Sequence, residues 1–385
     1  MTYRVAIIGT GADPDVQDRD GFAMGYRHAR GFERLSDCSV IACADLEIEH
    51  AEAFAETFGI GSEGIFTDHQ ELLRGVDPDI ISVCVPPAVH AEIVIDAARS
   101  GRPSAIHCEK PMATRWQDCQ SMVAACREMD IQLTIGHQRR FSIPIRTAKE
   151  LLDEGAIGEL RRVEWAEHNL FDAGSHLFDL CDYLLDGSRP RWAMAAVDVA
   201  EENRWFGALN STRALAQWEY ENGVQGLAST ADGDRRSLVD SYLRLVGTDG
   251  ELEIQPSNGP PVRIRTSGRW EPVATDGERL FGPQPTPVRA ATRMLTERLP
   301  GVRPRPRTRP NYDRAIEHLV ESLRTGREPI ISGTNALRGT ELIFGCWESA
   351  RRGERVEFPI TVEGNPLEDL FEEQRPAPES AVLSD

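Results

Sequence analysis

Apolar residues in the first third of the chain fall into short, nearly unbroken runs at Tyr3–Ile8, 40–44, 80–85, 104–108 and 132–135. Runs of this length predict parallel strands buried on both faces. Between them, 47–58, 90–100 and 115–129 read as helices, and in the second of these Ile93, Ala97 and Ala98 recur at helical spacing. Strands that alternate with helices predict βαβ units and a doubly wound parallel sheet over residues 1–136.

From residue 137 the texture changes. Helices are predicted at 144–154, stopped by Gly155, and at 175–185, stopped by Gly187. Segments with β character lie at 160–169, 192–200, 212–220, 224–230, 241–246 and 251–254. Turn signals such as Asn222-Gly223 and Asp249-Gly250 separate some of them, and helices do not, so a large, mostly antiparallel, open-faced sheet is expected. Helical periodicity returns at 312–324 and 335–351. The chain therefore reads as α/β, with a second, α+β domain over 137–363 and an acidic, mobile tail at 364–385. The proline- and arginine-rich stretch 256–310 reads as an extended loop or an arm on another subunit.

Composition narrows the function. The 385 residues suit two domains, and 43 Lys+Arg against 62 Asp+Glu give a net charge of −19. A chain this acidic is a poor partner for a nucleic-acid backbone. No apolar run approaches the ~18 residues of a membrane span. The first apolar run leads straight into a glycine turn instead of a cleavage site, so a cytoplasmic protein is expected. None of the eight cysteines forms a C-x-x-C pair, and no Cys/His spacing suggests zinc; no metal is expected.

Gly9-Thr10-Gly11 follows the first strand, but position 14 is Pro, so the usual G-x-G-x-x-G fails as written. If the residues around 14–20 are an insertion, Met24-Gly25 opens the helix that should follow, and Gly25 becomes the third glycine. Asp45 then ends the next strand about twenty residues on, the spacing of a ribose-binding acid. The glycines let the backbone approach a pyrophosphate, and the helix N-terminus offers it unpaired N–H groups. A carboxylate at 45 would repel a 2′-phosphate, and Leu46 supplies no cation to hold one, so NAD is favoured over NADP. A helix N-cap is the equal alternative for Asp45.

Two further segments close strands: Val85-Pro86-Pro87-Ala88-Val89-His90 and Cys108-Glu109-Lys110-Pro111-Met112-Ala113. Ligands bind at such carboxyl ends in open α/β sheets. Later segments extend the pattern: Gly136-His137-Gln138-Arg139-Arg140-Phe141, Ala148 through Gly158, Phe171-Asp172-Ala173-Gly174-Ser175-His176 and Trp347 through Gly353. With the G-x-G, this ordered set resembles the Gfo/Idh/MocA family of oxidoreductases. The resemblance implies a Rossmann domain, and an NAD-dependent enzyme oxidising a secondary hydroxyl of a sugar, cyclitol or related polyol. It implies that Lys110 touches substrate and nicotinamide ribose, and that His176 is the general base with Asp172 as its partner. Those two are i and i+4, so they share a face if the helix begins early enough. It implies that Pro86, Pro87, His90 and Glu109 wall the cofactor, and it implies a homodimer or homotetramer. Gln138 and Arg140 sit at the crossover and are candidates for nicotinamide or substrate contact; an interdomain ion pair is an equal reading of Arg140. Trp165 and His168 are candidates for the substrate pocket, against sheet packing for Trp165. His28, His50 and His69 have no partner in the sequence and read as surface residues; for His90 a surface place is the alternative. Two other readings stay open, namely a redox-neutral sugar lyase or hydrolase that uses NAD, and a ligand-sensing regulator on the same fold.

Overall fold

A computed structural model describes residues 2–11, 23–231, 239–281 and 310–374. The first half builds β1 (Tyr3–Ile8), α1 (Met24–Glu33), β2 (Cys38–Ala44), α2 (Ile48–Phe58), β3 (Ile65–Phe66), α3 (His69–Gly75), β4 (Ile80–Val83), α4 (His90–Arg99), β5 (Ala105–Cys108), α5 (Trp116–Glu128) and β6 (Gln132–Ile135). The six strands lie in the order β3-β2-β1-β4-β5-β6, all parallel. Val5, Ala6, Ile7, Ile80 and Ile81 are fully buried, as two-sided strands require. Strand order reverses between β1 and β4, which opens a crevice at their carboxyl ends.

The second half builds α6 (Ile143–Asp153), β7 (Leu160–Glu167), α7 (Gly174–Leu184), β8 (Pro190–Asp198), β9 (Asn203–Trp205), β10 (Ala208–Asn210), β11 (Arg213–Tyr220), β12 (Gln225–Ala231), β13 (Ser241–Gly247), β14 (Glu251–Pro256), β15 (Val262–Arg265), β16 (Glu271–Pro272), α8 (Asn311–Thr325), α9 (Gly333–Arg352), β17 (Val356–Glu357) and α10 (Pro366–Gln374). Nine strands pair as β16-β15-β14-β13-β7-β12-β11-β8-β17, and among the described ladders of this sheet only β7–β12 is parallel. Trp165, Trp218, Ala193 and Leu243 bury one face, while Met194 and Leu215 stand on the other, about half exposed. The end of β7, the end of β8 and the starts of β11 and β13 share one rim of this sheet. The β9–β10 hairpin rises from that rim.

Three expectations change. α8 follows the second domain in sequence but returns to the first: Ile316, Leu319 and Val320 share a core with Val5, Ile7 and Tyr26. The tail does not begin mobile at 364, because Pro366, Leu367 and Leu370 of α10 are buried; residues 375–385 lie outside the described residues. Within 256–310, β15 and β16 extend the sheet, while 282–309 lie outside the described residues, as do 12–22, which include the expected insertion around 14–20. No helix among the described residues is long and apolar enough to cross a membrane.

Candidate active site

The crevice is built for close backbone approach. Gly9 has φ of +90°, and a Cβ there would lie 2.7 Å from the Cys84 carbonyl carbon. A Cβ on Gly25 would lie 2.5 Å from the Gly9 carbonyl oxygen. Gly25, in the first turn of α1, therefore does the packing work of a third glycine. Asp45 Oδ2 accepts from Thr10 N at 2.8 Å and from Thr10 Oγ1 at 3.1 Å, and Oδ1 accepts from Glu47 N at 3.2 Å. The carboxylate thus ties the first turn to the end of β2 and to the residue that precedes α2. Met24 is half-buried, and Leu46 is 88% exposed beside Asp45.

The next two strand ends are locked from below. His90 is fully buried, with Nδ1 2.8 Å from the Pro111 carbonyl and Nε2 2.8 Å from the Val85 carbonyl. It is neither a surface residue nor a free cofactor wall: it is wedged between the Pro86-Pro87 turn and the Lys110–Met112 turn, and its one N–H donates to one of the two carbonyls. Burial pushes its pKa down. Pro87 is buried and Pro86 exposed. Glu109 Oε1 lies 2.9 Å from His28 Nε2, and Glu109 Oε2 accepts from Lys110 N at 3.2 Å. Burial opposes charge on both side chains, yet Cys84 and Glu109 raise His28 to about 10 and the His28 contact holds Glu109 at about 2. The surface reading of His28 is overturned, since α1 turns it inward beside Ala29 and Phe32. His50 lies 3.4 Å from Asp45 Oδ1, and His69 Nε2 lies 3.1 Å from Asp96 Oδ2, so neither stands alone.

The other wall comes from the second domain. Asn169 Oδ1 accepts from Phe171 N at 3.1 Å and Ala173 N at 3.0 Å, and this side-chain turn delays α7 until Gly174. Asp172 therefore precedes the helix and does not share a helical face with His176. Instead Lys110 Nζ donates to Asp172 Oδ1 at 2.9 Å and to the Asp172 carbonyl at 3.2 Å, and Asn210 Oδ1 accepts from Asp172 N at 3.2 Å. His176 is buried, and its Nδ1 has no hydrogen-bond partner. Its ring meets that of His137 edge-on, with centroids 5.8 Å apart. Burial first, then Arg139, Lys110 and His137, push its pKa well below 6.5. The ring is neutral at neutral pH.

Gln138 is buried with Oε1 unpartnered. Arg140 is not a substrate residue: Nε and Nη2 grip Asp179 at 2.8 and 2.7 Å, Nη2 reaches Asp182 at 3.0 Å and Nη1 the Ile330 carbonyl at 2.7 Å. Trp165 is fully buried against Phe178 and Trp218, so it cannot line a pocket. His168 is exposed and stacks on Trp205 of the hairpin, with centroids 6.4 Å apart. Sequence reasoning missed His137 and Arg139. His137 follows β6 at the carboxyl rim, and its Nδ1 lies 2.9 Å from Asp179 Oδ1 without the alignment of a hydrogen bond. Arg139 bonds Tyr242 and lies over the rings of Tyr242 and Phe281.

Glycines at a βα turn, a helix N-terminus behind them, a carboxylate at the end of β2 and an orphaned buried amide oxygen fit a dinucleotide. The family described as oxidoreductases with an NAD-binding Rossmann fold matches residues 3–137, and the C-terminal α/β domain of the same family matches residues 161–358. The inositol 2-dehydrogenase of Azotobacter vinelandii is 26% identical over 381 residues, covering 95% of this chain and 98% of its own. The 2,7-anhydro-N-acetylneuraminate hydratase of Mediterraneibacter gnavus is 30% identical over 272 residues, 66% of this chain and 67% of that protein. Among solved structures, the WlbA dehydrogenase of Bordetella pertussis, in complex with NADH and UDP-GlcNAcA, has this fold with a TM-score of 0.69 at 18% identity, over 94% of this chain and 100% of that one. Together the two matches show that the chain belongs to the Gfo/Idh/MocA family of NAD-binding oxidoreductases.

Proposed function

We propose that the protein oxidises a secondary hydroxyl of a sugar, cyclitol or related polyol. One observation carries the reading: the Lys110 ammonium of the first domain meets Asp172 of the second at 2.9 Å, within electrostatic reach of the neutral His176, whose Nδ1 has no hydrogen-bond partner. Gly9, Thr10, Gly11, Met24, Gly25 and Asp45 would hold the adenosine half of NAD, with Pro86, Pro87, Glu109, Lys110 and Gln138 along the rest. NAD supplies the oxidant, a nicotinamide that takes hydride from the substrate carbon. The chain supplies position and charge. Asp172 fixes the Lys110 ammonium, which polarises the substrate oxygen and stabilises alkoxide character as it develops. His176 takes the hydroxyl proton, and burial, then the Arg139 and Lys110 charges, keep its nitrogen free to do so. His168 and Trp205, stacked at the rim, offer a flat surface to a sugar ring. Exposed Met194 and Leu215 on the open sheet face support a homodimer or homotetramer. Eight free cysteines suit a reducing cytoplasm.

His176→Ala is expected to lower kcat about 100-fold. The sign of its pH dependence follows from the depressed pKa: the neutral base is present above that pKa and is lost as pH falls through it. The kcat/KM profile of the native enzyme should therefore be flat through neutrality and fall only in acid, not through a neutral-range step. A variant that keeps the acid limb would assign the base elsewhere. Asp45→Ala removes a charged acceptor worth about 1.5–3 kcal/mol, so the preference for NAD over NADP should fall about 10- to 100-fold. Equal loss of both cofactors would reduce Asp45 to its bond with the Thr10 turn. The hydratase relative favours one other reading, transient oxidation followed by return of hydride. Turnover without release of NADH would select it.

A further inference from the structure

All eight cysteines are free, and seven of them are buried. Burial pushes Cys38, Cys43, Cys126 and Cys346 up to about 12 and raises Cys108, Cys119 and Cys181 as well. Cys84 differs in place and in company. It is partly exposed and follows β4 at the crevice, with its backbone against Gly9. Its Sγ lies 3.2 Å from His28 Nδ1, and His28 Nε2 lies 2.9 Å from Glu109 Oε1. Ser82 Oγ completes the cluster, 2.8 Å from the same His28 nitrogen and 3.6 Å from the sulfur. Thiol, imidazole and carboxylate thus stand in a row at hydrogen-bond distances. From this cluster the oxidation of a hydroxyl needs only Glu109, which holds the Lys110 turn, and it leaves the Cys84 sulfur unused.

We propose that Cys84 is a reactive thiol, poised by His28 and Glu109, and that its modification by an alkylating electrophile or a peroxide blocks NAD binding. The thiolate is the nucleophilic form of a cysteine, and imidazole partners with partial exposure are what separate reactive cysteines from inert ones. With iodoacetamide, sulfur displaces iodide: an S–C bond forms, the C–I bond breaks, and the thiol proton passes to solvent with the iodide. With hydrogen peroxide, an S–O bond forms and the O–O bond breaks. Sulfur is oxidised to the sulfenic acid, and the departing hydroxide takes the thiol proton to leave as water. Any group added at Sγ crowds His28 and Ser82 and so presses on the Cys84 backbone, against which the Gly9 turn packs where a dinucleotide must approach.

The purified full chain, treated with limiting iodoacetamide and mapped by peptide mass spectrometry, should carry the label on Cys84 at least about tenfold faster than on any other cysteine. Saturating NAD should slow that labelling, and the labelled protein should lose NAD binding by calorimetry. Under hydrogen peroxide, dimedone should trap the same residue. His28→Asn should slow the labelling about tenfold. Should that variant fail to fold, Cys84→Ser serves in its place: its NAD affinity should no longer respond to iodoacetamide. Label spread evenly over the cysteines, or Cys84 fully alkylated with NAD affinity unchanged, would overturn the proposal.

Discussion

Lys110→Ala is expected to lower kcat by about 10³-fold, the scale of losing one preorganised electrostatic group, while NAD affinity changes only a few-fold. The reason is geometric. The ammonium is held from two sides, by the Asp172 carboxylate at 2.9 Å and the Asp172 carbonyl at 3.2 Å, so it needs no reorganisation as negative charge grows on the substrate oxygen. The turn that carries it is itself fixed, because His90 clamps the Pro111 carbonyl and Glu109 accepts from the Lys110 amide. Arginine should not restore the rate, since a planar, longer fork cannot reproduce a point charge at that place. Stopped-flow kinetics with an independent NAD titration separate the two effects. A rate within a few-fold of native would remove Lys110 from the chemistry.

Arg140→Met should cost stability rather than catalysis, by about 3–5 kcal/mol, the usual penalty for stranding a buried charge. The guanidinium is 2% exposed and is shared between Asp179 and Asp182, with Arg338 also on Asp182. Burial alone would raise the Asp179 carboxyl, but Arg140 holds it below the usual range. A carboxyl depressed in the folded state contributes stability above its unfolded pKa, and that contribution is lost as pH falls through the folded value. Removing the arginine reverses the sign: Asp179 then prefers its proton, and the variant should regain ground on the native protein as pH falls into the carboxylate range. Urea midpoints across pH read this directly. An unaltered midpoint at neutral pH would mean that the pair contributes nothing.

The sequence made the framework legible wherever burial was two-sided. Nearly unbroken apolar runs such as Tyr3–Ile8 and Ala105–Cys108 form parallel strands, and the alternation in Arg213–Tyr220 forms a strand with one wet face. β3 has two residues and leaves no period to detect, and α3 is announced only by Asp68, whose side chain accepts from Glu71 N. The tail helix had a signal that acidity masked, in Leu367, Leu370 and Phe371 at helical spacing. His28 had one too, since it lies on the stripe of α1 that also buries Gly25, Ala29 and Phe32.

The site was legible in its parts and not in its pairings. The motifs name Lys110, Asp172 and His176, but the resemblance pairs Asp172 with His176, whereas Asp172 accepts from Lys110. What decides the matter is the Asn169 side chain, which satisfies two backbone donors and starts the helix late. Asp172 then meets a lysine from the other domain, a contact no local pattern encodes. Arg140 illustrates the same limit, because a basic residue at a crossover says nothing about two carboxylates waiting on α7.

The most direct test is a panel of cyclitols, aldoses and their glycosides incubated with NAD and the intact protein, read by the absorbance of NADH. The account predicts that at least one hydroxyl compound yields NADH, at a rate that holds steady through neutral pH and drops in acid. NAD bound tightly while no member of the panel is ever oxidised, even transiently, would contradict it.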